Sequence, residues 1–161
     1  MATKKATDTQ FTKKPITEDI IDIDLSAIKK KRFRINGDND KILELNTSDM
    51  HILSRLDEVY PKLNALQEKV GRISDTSSAD SDTKENAVTL RSVDNEMREL
   101  IDFVFDSNVS EVCAGEGSMY DPIDGMFRFE YIMDALMKLY DTNLTLEFKK
   151  MKNRINKYAK K

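Results

Sequence analysis

"KKRFRINGDNDKILELNTSDMHILSRL", residues 30 to 56, changes its hydrophobic period midway, and that change decides the fold class. Phe33 and Ile35 alternate with Arg32 and Arg34, and after "NGDND" the apolar residues Ile42, Leu43 and Leu45 resume. A period of two suits a half-buried strand, because successive side chains of an extended chain point to opposite faces. Asn36-Gly37 supplies the positive φ that a tight reversal needs, so the two runs predict a β-hairpin. Beyond it the period turns helical, with Leu53, Leu56, Val59, Tyr60, Leu63, Leu66, Val70 and Ile73 on one stripe. Thr47 or Ser48 is the expected cap of this helix, and Pro61 is expected to kink or split it.

Working outward to the N-terminal side, "IIDIDLS" places Ile21, Ile23 and Leu25 in alternation with Asp22, Asp24 and Ser26. The same period of two predicts a further strand, giving a three-stranded antiparallel sheet of one strand plus the hairpin. Residues 1 to 18 are mostly Thr, Lys, Asp and Gln, too polar to repay the entropy of ordering, and are expected to form a flexible arm.

On the C-terminal side, residues 74 to 86, "SDTSSADSDTKEN", carry no large apolar side chain and predict a mobile linker. From Val88 a helical stripe of Leu90, Val93, Met97, Leu100, Ile101 and Val104 runs to Phe105. A glycine-containing stretch, "DSNVSEVCAGEGSMYDPIDGM", follows at 106 to 126, with one short turn expected around Val109 and Val112. Then "MFRFEYIMDALMKLY" is apolar nearly all round a helix, the mark of an element that is buried or docks on something else. The end, "EFKKMKNRINKYAKK", is amphipathic and basic. The expected architecture is a single α+β domain over residues 19 to 158, a small N-terminal antiparallel sheet before three to four helices, with 159 to 161 as a tail.

Composition narrows the function classes. The chain has 161 residues, 34% of them charged, no tryptophan and a formal net charge of −3. Both ends are basic and the middle is acidic, which does not suit a chain that coats nucleic acid throughout. One cysteine cannot form an internal disulfide, and no run approaches the ~18 apolar residues of a membrane span. No apolar secretory core stands in "MATKKATDTQFTKKPITEDI". A soluble protein of a reducing compartment is the expectation.

Each candidate chemistry lacks a second group. A P-loop needs Lys followed by Ser or Thr after its glycines, and "AGEGSMYD" has neither. A dinucleotide fingerprint opens a helix after a strand, whereas Gly115 and Gly117 follow a helix, where glycine is a common stop signal. Cys113 has no base near it in sequence; the single histidine, His51, stands at the start of the first long helix. A free cysteine between Val112 and Ala114 reads as a small buried hydrophobe. Asp38, Asn39 and Asp40 lack the spaced ligands and final Glu of a calcium loop and read as a turn. Basic groups at Lys29 to Arg34 and Lys149 to Lys161 come without an aromatic stacking platform, so nucleic acid is not the expected partner. No catalytic, cofactor-binding or metal-binding residue is assigned, and the expected protein is not an enzyme.

The order of parts carries a resemblance. A charged arm, an "IDIDLS" run, a hairpin and a capped helix precede a polar linker, a second helix, "FDSNVSEVCAGEGSMYD" and an amphipathic end. This arrangement resembles the tail assembly chaperones of long-tailed phages and prophages of Gram-positive bacteria, over most of residues 20 to 158. Phe105-Asp106, Ser110 to Gly115 and Phe127 to Tyr140 hold the places of the family's Phe-Asp pair, its short segment and its Phe/Tyr-rich helix. The insertion at 74 to 86 and Cys113 depart from the commoner versions. The resemblance implies a non-enzymatic protein of the host bacterial cytoplasm, absent from the mature virion. It would bind the tape measure protein and keep it soluble, and help recruit tail tube subunits; homo-oligomers are open to it. Phe127, Phe129, Tyr131, Met133, Leu136 and Met137 are then the expected partner contacts, against the alternative that they fill the protein's own core. A structural connector or completion protein retained in the virion is the runner-up.

Overall fold

A computed structural model describes residues 20–76 and 83–159. The hairpin forms as its pattern predicts: β1 (Lys31–Arg34) pairs antiparallel with β2 (Ile42–Leu45), Phe33 opposite Leu43 and Arg32 opposite Glu44. Asn36 and Gly37 take φ of 52° and 74°, and the Asp38 N–H closes the turn on the Ile35 carbonyl at 3.0 Å. Alternation along β2 sends Leu43 and Leu45 into the core, where both are fully buried, and leaves Glu44 outside.

Among the described residues the expected third strand does not form. Residues 20–25 form no ladder, and the sheet is two-stranded. The local chemistry diverts the backbone: the Asp24 Oδ1 accepts from the Ser26 N–H at 2.9 Å, and the Ile28 N–H returns to the Leu25 carbonyl at 2.9 Å. Asp and Ser favour such side-chain-to-backbone turns, and they compete with a ladder that has no buried face to reward it.

Two long helices form the body. Helix α1 (His51–Thr76) and α2 (Thr83–Phe105) are antiparallel, since Arg55 near the start of α1 donates to the Val104 carbonyl near the end of α2 at 2.8 Å. Ile52, Val59, Leu66 and Val70 of α1 meet Val93, Met97, Ile101 and Val104 of α2 in one core. Pro61 neither splits nor ends α1. It lies on the exposed side and removes one backbone donor, while buried Val59 and Leu66 on either side hold the helix to α2. The cap is Asp49, not Thr47 or Ser48: its Oδ1 accepts from the His51 N–H at 2.9 Å, and Thr47 turns into the core instead. The linker expected at 74–86 is shorter, because 74–76 end α1 and 83–86 begin α2; residues 77–82, like the expected arm at 1–18, lie outside the described residues.

Helix α2 ends in a two-bond stop signal. The Ser107 N–H reaches the Asp102 carbonyl and the Asp106 N–H reaches the Phe103 carbonyl, with Asp106 at φ 48°. A π-helical turn, α3 (Ser110–Ala114), follows, and then a tiny hairpin of β3 (Pro122–Ile123) and β4 (Met126–Phe127). Asp124-Gly125 forms its tip at φ 49° and 79°. The last element, α4 (Arg128–Ala159), is a single helix of 32 residues, about 48 Å long. The apolar helix expected to 140 and the basic end are therefore one rod.

Candidate functional site

The glycine-containing loop is a clamped structural segment. Asp94, Arg98 and Asp102 stand four residues apart on one face of α2 and bind the loop's backbone. Asp102 accepts from both the N–H and the hydroxyl of Ser110 at 2.7 Å. Arg98 pairs with Asp94 at 3.0 Å and donates to the carbonyls of Ser110, Gly115 and Gly117. Asp94 also takes the Met119 N–H at 2.6 Å and the Ser118 hydroxyl at 3.2 Å. Sequence reading missed this stripe, although Asp-x3-Arg-x3-Asp was its signal: residues at i, i+4 and i+8 share one helix face.

Glycine serves geometry here. Gly115 sits at φ 56°, and a Cβ on Gly117 would come 2.5 Å from the Arg128 guanidinium, which is paired with Asp121 at 2.9 Å. Cys113 is half-buried, and burial, with the Asp102 carboxylate nearby, pushes its thiol up to about 11. At neutral pH it is protonated, which makes it a poor nucleophile. Among the described residues, no group of three or more His, Cys, Asp or Glu side chains is placed to hold a metal ion, and no helix is long and apolar enough to cross a membrane.

The six expected partner-contact residues divide. Phe129 and Leu136, 5% and 8% exposed, belong to the core. Phe127, Met133 and Met137 pack against it, and Tyr120, Phe127 and Phe129 form a ring cluster with centroids 5.4 to 5.9 Å apart. Only Tyr131 is exposed. Phe105 and Tyr140, 5.7 Å apart, fix the middle of α4 to the end of α2. Glu130 fixes its start, accepting from the Phe127 N–H at 2.8 Å, as the third residue of a helix does in a capping box.

Past Tyr140 the helix leaves the body. Asn143 makes the last bonds to it, donating to the Thr47 carbonyl and accepting from Lys31 Nζ. The same stripe continues outward through Leu144, Phe148, Met151 and Ile155 at steps of four, three and four. Beyond the partly buried Leu144 it is open, with Phe148 50% and Ile155 59% exposed. Lys149, Lys150, Lys152, Arg154 and Lys157 occupy the other faces. A second open apolar run is Ile20, Ile21, Ile23 and Leu25, with Ile21 86% and Ile23 80% exposed. Contiguous exposed apolar surface on a small protein marks an interaction site. The described residues thus present one apolar face with basic flanks and one apolar run with acidic flanks. No protein-family model, curated protein or solved structure matches this chain.

Proposed function

We propose that this chain is a tail assembly chaperone of a long-tailed phage or prophage, working in the host bacterial cytoplasm without catalysis. The observation that carries it is the outer half of α4, whose apolar stripe runs past the body uncovered. Such a stripe lies against a partner's apolar helical surface and shields it while its charged faces stay in water. Met151 adds an unbranched, polarizable side chain that fits varied surfaces. The resemblance of "FDSNVSEVCAGEGSMYD" and the helix after it to that family supplies the partner: the long, helical tape measure protein. The contact surface moves outward along the helix from the residues first expected, to Phe148, Met151 and Ile155.

The test is co-expression with a tape measure protein from the same phage or prophage, followed by pull-down and a solubility assay. The wild-type chain keeps the partner in the soluble fraction, and Phe148→Asp with Ile155→Asp releases it while its circular dichroism stays unchanged. Failure of the wild type to bind or solubilise that partner removes the proposal. Detection of the chain in purified virions favours the structural tail component instead.

A further inference from the structure

The two open apolar runs are complementary in charge. In Ile20–Leu25 the apolar residues alternate with Asp22 and Asp24, and all of it is exposed. On the outer half of α4, Lys152 and Arg154 flank the apolar stripe on either side: Lys152 neighbours Phe148 and Ile155, and Arg154 neighbours Met151. From residue 147 to 157 there are five basic side chains against the single acidic Glu147. Two such helices laid face to face would repel, so a second α4 is the wrong cover for this stripe; an acidic and apolar segment is the right one.

We infer that the protein forms a reciprocal dimer in which Ile20–Leu25 of each copy lies along the outer stripe of the other copy's α4. Both runs start from the same end of the body, since Lys31, just beyond the acidic run, donates to Asn143 of α4 at 3.2 Å. Yet within one chain neither covers the other: Ile20, Ile21, Ile23 and Leu25 stay 61 to 86% exposed, and Phe148, Met151 and Ile155 about half exposed. A two-fold pairing closes both surfaces of both copies at once and leaves no apolar end free to recruit a third. Ile21, Ile23 and Leu25 supply the burial, while the long Lys152 and Arg154 side chains, on either side of the stripe, reach round to Asp22 and Asp24 and set the register. The dimer is then the resting form of the surface assigned above to a partner helix, but it is derived from charge and exposure alone and stands without that assignment.

Sedimentation equilibrium of the full chain, with no tape measure protein present, tests it by charge reversal. The wild type is a dimer that dissociates more readily as salt rises. Asp22→Lys with Asp24→Lys makes both contacts basic on basic, and Lys152→Glu with Arg154→Glu makes both acidic on acidic. Each variant alone dissociates at least about tenfold more readily, and their equimolar mixture regains the dimer, because both contacts are again of opposite charge. A wild type that is monomeric at about 100 μM overturns the proposal. So does a D22K/D24K variant that dimerises like the wild type, which would mean pairing through α4 alone, or a mixture that fails to recover. These outcomes are independent of whether the chain solubilises a tape measure protein.

Discussion

Arg98 ties the loop after α2 back to that helix. Its guanidinium satisfies three loop carbonyls and one carboxylate from a position only 20% exposed. Arg98→Met keeps the stem and removes every donor, leaving Asp94 and the Gly115 and Gly117 carbonyls short of partners. It is expected to cost about 2 to 3 kcal/mol, read as a lower urea midpoint. Asp106 is the opposite case, a residue whose backbone holds it below the best stability. An L-residue in the left-handed region costs about 1 kcal/mol, so Asp106→Gly is expected to stabilise by roughly that amount, offset only slightly by an exposed 3.7 Å contact with Lys30. At Asp49, burial pushes the carboxyl up, but the Arg55 guanidinium at 2.6 Å and the His51 N–H outweigh it and hold it below the usual range. A lowered carboxylate contributes stability above its unfolded value near ~4, and the contribution goes as pH falls through the lower native value. Asp49→Asn is therefore expected to destabilise at pH 7 and to lose that effect progressively as pH falls below the usual carboxylate range, read by urea unfolding at neutral and at successively lower pH.

The elements differ in how far local signals specify them. The hairpin, α1 and α2 were legible because period, Asn36-Gly37 and the stripe from Leu90 to Val104 all agree with what the core rewards. The second hairpin was missed although Asp124-Gly125 between Ile123 and Met126 is a strong turn signal; its strands are two residues each, too short for a period to register. The strand at Ile21 to Leu25 failed for the converse reason. Its alternation is clean, but alternation only says which side chains share a face, and within one chain no face receives them. In α4, Asp141, Thr142 and Asn143 look like an interruption, yet Asn143 bonds the Thr47 carbonyl and the helix runs through. Phe129 and Leu136 could not be separated from Phe148 and Ile155 by sequence, because all lie on apolar helix positions; only the length of the body decides which are covered.

Taken as one molecule, a compact α1–α2 core carries a helix of about 48 Å of which the outer half projects. That shape explains how so charged a chain has both a buried core and open apolar surface. It also makes the binding and self-association tests separable from stability: Phe148, Ile155, Asp22 and Asp24 are exposed, and changing them is expected to leave the thermal midpoint within a few degrees of wild type. The sequence alone carries the fold class, the first hairpin around Asn36-Gly37 ahead of the long helices and the end of α2 near Phe105, since periods of two and of 3.6 are written directly in apolar spacing. Only the tertiary structure decided that Asp94, Arg98 and Asp102 clamp the loop, that "IIDIDLS" stays unpaired, and that the apolar stripe of α4 outruns the core. Those facts depend on which surfaces meet across the chain, and no local period records that.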